Sequence, residues 1–308
     1  MLPTVSIVIP TYNRASFLEK CLLPLLQQSY PLERYEVIMI DDGSTDDTVS
    51  RAQTLVRGWP GVFRLLQQAN AGPASARNTG LAASTADIIA FVDSDCAVQH
   101  DWLNELVTAI GASNADGIGG PIIGGDIDNW VARYLEAVKF YRHRVQHGQV
   151  DYLVTTNTAF KRAALLAIGG FAADSPDVWA EDVDLSFKLK AAGYTLAVTN
   201  AAPMIHYGTL NTVRALINKL YIYGRGNAMR SASWGADRTP AIELLRHLGA
   251  VCVAPWIALR RTHGAGIIDK FSFWPLIMIE HTAFAFGLIS GLIKRPRTAH
   301  NVHTFNAR

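Results

Sequence analysis

Ile88-Ile89-Ala90-Phe91-Val92-Asp93-Ser94-Asp95 runs from five apolar residues straight into two carboxylates one residue apart. A run of that length with no polar alternation reads as a strand buried on both faces. Such strands belong to parallel sheets covered by helices, and ligands collect at their carboxyl ends. The same grammar recurs upstream. Val5-Ser6-Ile7-Val8-Ile9 is a first strand stopped by Pro10, and Glu36-Val37-Ile38-Met39-Ile40 is a second that ends at Asp41-Asp42-Gly43-Ser44. Residues 63–66 give a third. Helical patterns lie between them at 16–28, 45–56 and 73–82, with Ser44 or Thr45 expected to cap the second and a proline near the start of the third. The expectation is an α/β fold with a Rossmann-like, mainly parallel sheet flanked by helices.

The middle of the chain is less regular. Residues 117–125 are glycine-rich and are expected to loop beside the site. Residues 130–147 read as a helix, 152–160 as a strand and 181–192 as a helix ended by Gly193. Short extended pieces follow at 196–198 and 204–206.

Charge is divided unevenly along the 308 residues. Residues 1–128 carry 7 basic and 15 acidic side chains, whereas residues 209–308 carry 13 and 4. An acidic first half argues against nucleic acid as a partner. The basic tail is also apolar, with runs at 248–259 and 273–293. The second run has the length of a bilayer span, but Glu280-His281 sits inside it and Pro275 near its start, so helices lying in the membrane interface are expected over a crossing. Lys294, Arg295 and Arg297 follow and would face the cytoplasm. A buried helical hairpin of a soluble protein is the competing reading. Division into a catalytic domain at 1–210 and a tail at 211–308 follows from this change of character. Cys21, Cys96 and Cys252 are odd in number and far apart, which suits a reducing compartment. With a strand-like run beginning almost at Met1, the expected location is cytoplasmic, at the inner face of the membrane.

The strand ends carry the chemistry. Asp93-Ser94-Asp95 offers hard oxygen ligands suited to magnesium or manganese. If strand geometry persisted past Val92, both carboxylates would point the same way, toward one ion or toward an ion and a ribose. Asp42 can accept hydrogen bonds from a base or ribose. Asn70-Ala71-Gly72-Pro73-Ala74-Ser75-Ala76-Arg77-Asn78 opens a helix whose start favours anions, with Arg77 and Asn78 turned toward a nucleotide or sugar. Glu181-Asp182 opens another helix behind Trp179, where a carboxylate can serve as a general base or merely as a cap. His206 is a structural histidine or a nitrogen ligand.

Taken together and in order, these segments resemble the family 2 glycosyltransferases of the GT-A fold. Val5 through Arg14 is similar to that family's first-strand signature, Asp41 through Asp46 to its second and Asn70 through Gly80 to its third. Asp93-Ser94-Asp95 is similar to its metal motif, and Gly169-Gly170-Phe171 with Glu181-Asp182 to its acceptor-side segment. The resemblance covers about residues 4–210. It implies an inverting transfer of a sugar from a nucleotide-diphospho-sugar, usually a UDP-sugar, to a hydroxyl of a saccharide or lipid-linked acceptor, with manganese or magnesium as cofactor. By the same resemblance Pro10, Thr11, Tyr12 and Asn13 line the base pocket, and Asp42, Arg77, Asp93 and Ser94 belong to the nucleotide-sugar site. Asp95 and His206 hold the metal, and Asp182 is the base with Glu181 beside it. The Q-x-x-R-W signature of polymerising members is missing, and the corresponding region reads Tyr221-Ile222-Tyr223-Gly224-Arg225-Gly226-Asn227, so transfer of a single sugar is expected. A non-catalytic nucleotide-sugar sensor and a sugar-phosphate nucleotidyltransferase are the alternatives. The second is disfavoured because Thr11-Tyr12-Asn13-Arg14-Ala15 holds no glycine for a triphosphate loop.

Overall fold

A computed structural model describes residues 2–139, 143–146, 149–173, 181–208, 210–230, 240–262 and 265–294. Trp179, Arg295, Arg297 and the side chain of Lys294 lie outside the described residues.

The chain opens with β1 (Val5–Thr11), α1 (Leu18–Leu25), β2 (Tyr35–Asp41), α2 (Thr48–Leu55), β3 (Val62–Gln67), α3 (Pro73–Ala83) and β4 (Ile88–Val92). Strands β1, β2, β3 and β4 pair in parallel, in the order β4-β1-β2-β3. All seven residues of β1 are buried, as a strand covered on both faces requires, and the polar Ser6 inside it bonds Glu36 Oε1 and Ser84 Oγ at 2.6 Å each. Successive side chains point to opposite faces. Ile7, Val37, Met39 and Ala90 enter one core beneath α1, and Val8, Ile38, Ile40 and Phe91 enter another beneath α3. Each large apolar side chain buried this way contributes about 1.5–3 kcal/mol. Helix α3 comes unusually close to the sheet at Gly80, where a Cβ would stand 2.4 Å from Val8 Cγ1.

Beyond β4 come β5 (Cys96–Val98), α4 (Trp102–Ser113), β6 (Gly117–Gly119), β7 (Ile122–Gly124), α5 (Trp130–Ala137), β8 (Arg144–Gln146), β9 (Gln149–Tyr152) and β10 (Asn157–Lys161). Then follow α6 (Arg162–Ala167), α7 (Glu181–Ala191), β11 (Leu196–Val198) and β12 (Met204–His206). The main sheet is completed as β11-β6-β10-β4-β1-β2-β3, with β10 antiparallel to both its neighbours. A second sheet, β5-β12-β7, stands beside it.

Four expectations are corrected here. The glycine-rich 117–125 segment forms strands β6 and β7 rather than a loop, because rings occupy the space its side chains would fill. A Cβ on Gly117 would meet Phe160 Cδ1 at 2.4 Å, and one on Gly119 would meet His143 Nε2 at 2.3 Å. The 130–147 helix stops at Ala137, Lys139 takes φ +57, and residues 144–146 form β8, paired antiparallel with β9; 140–142 and 147 lie outside the described residues. Ser44 and Thr45 do not cap α2, which begins after Asp47. Both are spent on the neighbouring loop, Ser44 Oγ accepting from Asn13 N at 2.9 Å and Thr45 N donating to Asn13 Oδ1 at 2.8 Å. The 152–160 strand also starts later than expected, at Asn157.

The tail is helical: α8 (Val213–Arg230), α9 (Pro240–Cys252), α10 (Ala254–Arg261), α11 (Ile267–Ser272) and α12 (Trp274–Lys294). Helices α9 and α10 meet at a 92° bend, with Pro255 in the first turn of α10. A third core joins Tyr134 and Leu135 of α5 to Leu216 of α8 and to Phe273 and Ile277. Glycines bring α8 and α12 to backbone contact. A Cβ on Gly224 would lie 2.1 Å from Phe284 O, and one on Gly287 would lie 2.0 Å from Tyr221 O.

Candidate active site

The expected site residues gather at the carboxyl ends of β1, β2 and β4. Two loops there are stapled together: Asp42 N donates to Thr11 O (2.8 Å), Arg14 N to Thr48 Oγ1 (2.8 Å) and Ala15 N to Asp46 Oδ2 (3.2 Å). Asn13 holds this join from the left-handed region, φ +51, with both its backbone and its side chain engaged. Pro10 and Thr11 are buried and Tyr12 stands exposed, so Tyr12 is the member of this group that presents a ring to solvent.

Asp42 is buried and turned onto the 70–72 loop. Its Oδ1 accepts from Gln68 Nε2 (2.7 Å) and Ala71 N (2.9 Å), and its Oδ2 from Gly72 N (2.8 Å). The anion at the start of α3 is thus this carboxylate. Arg77, expected near a nucleotide, is also buried and points along the protein. Its Nη2 donates to Asp93 Oδ1 at 2.8 Å and its Nη1 to Glu181 Oε1 at 3.1 Å, with the guanidinium 5.7 Å from the Phe171 ring centre. Burial by itself would make Arg77 a weaker base, but the two carboxylates outweigh it and hold the guanidinium charged. Asn78 joins Gly170-Phe171 to α3, its amide bonding Phe171 O and N at 2.8 and 2.9 Å.

The two acidic residues of the 93–95 turn face different partners. Strand geometry ends at Val92, and Cys96 N closes a turn onto Asp93 O at 3.1 Å. The shared direction expected from an i, i+2 spacing is therefore lost. Asp93 turns to Arg77 and to Thr156 Oγ1 (2.8 Å). Burial pushes its carboxyl up, but Arg77 and the Thr156 hydroxyl outweigh that and leave it below the ordinary range. Ser94 is buried. Asp95 faces the other way, 3.5 Å from Arg14 Nε and 3.5 Å from His206 Nε2. His206 arrives because β12 pairs with β5 and sets it opposite Cys96. Tyr207 N donates to Asp95 O at 2.8 Å, and Gly208 leaves room for the carboxylate, since a Cβ there would be 2.0 Å from Asp95 Oδ2.

Ligand atoms of Asp95, Cys96 and His206 lie within 4.8 Å of one another. The donor set fits a divalent cation through the Asp95 oxygen and the His206 nitrogen. Burial, then the charges of Asp95 and Asp93, push the Cys96 thiol well above its usual range, so it stays protonated beside them. A cavity of about 460 Å³ opens in front, lined by Arg14, Asp95, Asp126, Asp128 and Asn211 among others.

Across the Arg77 bridge, Asp182 sits in the first turn of α7 and accepts from Val183 N at 2.8 Å. Burial and the adjacent Glu181 charge push its pKa up to about 7, against the opposing pull of the Val183 N–H, Arg77 and Lys219. Sequence reasoning missed Arg14, Thr156 and Lys219 as members of this neighbourhood. Arg14 directly follows the Thr11-Tyr12-Asn13 motif and was findable. Lys219 enters from α8, with no local signal to announce it.

Comparison with known proteins agrees with this architecture. The pre-mycofactocin glycosyltransferase of Mycobacterium tuberculosis is 30% identical over 269 residues, 85% of this chain and 54% of that protein. The validoxylamine A glucosyltransferase of Streptomyces hygroscopicus is 30% identical over 230 residues, 64% and 54%. The glycosyltransferase AglE of Haloferax volcanii is 37% identical over 121 residues, 39% and 40%. The chain spans about half the length, or less, of these curated relatives. In fold it is similar to the mannosyltransferase of Pyrobaculum calidifontis solved with GDP-Man and Mn2+, with a TM-score of 0.65 at 20% identity over 95% of this chain and 88% of that one. It is also similar to residues 1–349 of Staphylococcus aureus TarS solved with UDP, with a TM-score of 0.53 at 17% identity over 94% and 90%. The family model for glycosyl transferase family 2 matches residues 6–169, and that for glycosyl transferase family group 2 matches residues 88–290. With more than half its length matched and a parallel sheet that delivers its acidic residues to one cleft, the chain belongs to glycosyl transferase family 2.

Proposed function

We propose that this glycosyltransferase moves a single sugar from a nucleotide-diphospho-sugar, a UDP-sugar first, to an acceptor hydroxyl with inversion of configuration. The observation that carries the reading is Arg77, which spans from Asp93 to Glu181 and so ties the donor side of the cleft to the turn that carries the candidate base, Asp182. Asp95 and His206 are assigned to hold manganese or magnesium, as the bound Mn2+ of the Pyrobaculum neighbour supports. When bound, such a cation offsets the charge that develops on the leaving diphosphate. Asp93, oriented by Thr156 and Arg77, is assigned to the ribose side with Ser94. Tyr12 and the Pro10–Asn13 loop are assigned to the base, with Asp42 holding the loop that faces it. Asp182, held by Val183 N and raised by the adjacent Glu181 charge, takes the acceptor proton at its carboxylate during in-line attack. Residues 1–210 form the catalytic domain and 211–308 the attachment region, at the cytoplasmic face of a membrane. The free thiols of Cys21, Cys96 and Cys252 support a reducing compartment. A saccharide or lipid-linked hydroxyl is the acceptor class.

Thermal stability with UDP, GDP and TDP, each with manganese and with EDTA, tests the donor assignment, because a ligand that binds only the native state raises its stability. A manganese-dependent shift with UDP supports it, and a shift with another nucleotide moves the donor class. No shift in a folded protein overturns the site assignment. The anomer of the product, read by NMR, tests inversion.

A further inference from the structure

The tail helices are inside out. On α9 the outward positions are Ile242, Leu245, Leu248 and Cys252, while the ionisable Glu243 and His247 turn inward. Helix α12 repeats the pattern. Glu280 and His281 are buried, and Phe286, Ile289, Leu292 and Ile293 are exposed. Glu280 and the two histidines have partners within the protein. Tyr134 donates to Glu280, Arg261 Nη1 reaches Glu280 Oε1 at 3.2 Å, and the Nδ1 atoms of His281 and His247 lie 2.8 Å apart. Between these helices, Ile268 is 82% exposed, Phe271 61% and Trp256 55%. A water-facing helix has the opposite polarity, so the medium outside this face is apolar.

Basic residues share the same helices. Arg246, Arg260 and Arg261 are exposed, and Arg260 lies 4.2 Å over the Trp256 ring. Residues 209–308 hold 13 basic and 4 acidic side chains. A second copy laid symmetrically on this face would bring like charges together. An anionic lipid surface takes both the apolar side chains and the arginines.

The packing of α12 decides between lying on the bilayer and crossing it. By length and composition α12 passes as a span. However, it is bonded to Tyr134 of α5 at Glu280 and to Tyr221 of α8 at Ser290, the latter at 2.7 Å. Those points are about 15 Å apart along the helix axis. Helix α5 is itself tied to the second sheet, where Glu136 accepts from Gly124 N at 2.9 Å. A crossing α12 would drag α5 and α8 into the hydrocarbon. Helices α9, α10 and α11 all pack against α12, which brings their exposed apolar residues together around one helix.

We propose that α9, α10, α11 and α12 form a docking face that lies in the interfacial plane of an anionic bilayer without crossing it. This is independent of the catalytic reading. Flotation of the full chain with vesicles of phosphatidylcholine alone, or of phosphatidylcholine with phosphatidylglycerol, tests it. The expected result is flotation with the anionic vesicles, about tenfold weaker binding on neutral ones or in high salt, and loss of flotation in Ile268→Asp/Phe271→Asp with Tm unchanged. Should that variant fold poorly, quenching of Trp256 and Trp274 in the native chain by brominated lipid gives the same answer, and absence of quenching counts against docking. A chain that stays unbound and runs as a dimer assigns the face to a second copy and overturns the proposal. Retention in the vesicles after an alkaline carbonate wash overturns it in favour of a span.

Discussion

Arg77 on α3 and Glu181 at the start of α7 are 104 residues apart in sequence and 3.1 Å apart in space. With Asp93 on its other arm, the guanidinium bridges the two acidic turns it touches. Removing one partner of a buried ion pair leaves the other charge uncompensated, which costs about 3–5 kcal/mol. Arg77→Ala is expected to lose about that much stability at neutral pH in urea unfolding, with part of the loss recovered on acidification as Asp93 protonates. Arg77→Lys keeps the charge but reaches only one carboxylate well, so it falls between. An Arg77→Ala protein as stable as the native chain would remove the bridge from the account.

The raised Asp182 pKa sets a pH dependence. A base must be deprotonated to act, so kcat/KM falls tenfold per pH unit below about 7 and levels off above it. Asp182→Asn is expected to cost about 10²–10⁴-fold in rate. Stability runs the other way. A carboxyl with a folded pKa above its unfolded value binds its proton more tightly when folded, so its contribution declines as pH rises from about 4 to about 7. Asp182→Asn is therefore expected to melt higher than the native chain at pH above about 7. A slow variant with a lower Tm there would contradict the burial argument.

Asp95 and His206 can be tested without turnover. Asp95→Ala and His206→Ala are each expected to abolish the manganese dependence of nucleotide stabilisation while leaving the unliganded Tm within a few degrees. Loss of a cation that supplies several kcal/mol in the transition state lowers rate by about 10²-fold or more. A manganese-dependent shift that survives in both variants would send the search for ligands to Asp126 and Asp128, across the same cavity.

Gly80 tests the closeness of α3 to β1. A Cβ there meets Val8 Cγ1 at 2.4 Å and Ile40 Cδ1 at 2.9 Å. Overpacking costs about 1–3 kcal/mol, against about 1 kcal/mol returned by the better helix propensity of alanine. Gly80→Ala is expected to be net destabilising, and Val8→Ala in the same chain should relieve part of the clash. Additive losses in the double variant would argue against it.

Much of the fold was legible because β1, β2 and β4 are mainly apolar runs ending in polar turns, and they are too short for helices. Strand β6 was not legible, since Gly117 and Gly119 make room for rings supplied by Phe160 and His143, and only tertiary structure shows those rings. The site was legible as a set of residues and less so as a set of contacts. Asp93 and Asp95 diverge because the chain turns after Val92, and Arg77 is spent on two carboxylates from distant segments. Lys219 was invisible because proximity to Asp182 comes from the path of α8, which no local pattern encodes.

The glycine contacts between α8 and α12 have a mechanical consequence. With Gly224 against Phe284 and Gly287 against Tyr221, the two backbones leave no side-chain layer in which to slide, so the pair behaves as a single strut. One end of that strut carries Lys219 toward the carboxyl of Asp182, and its outer flank carries Phe286 and Ile289. Once that flank rests on a surface, the Asp182 carboxyl stands at a set height above it. Acceptors would then be sorted by how far their hydroxyl rises from the plane that holds them, a ruler as well as a chemical choice.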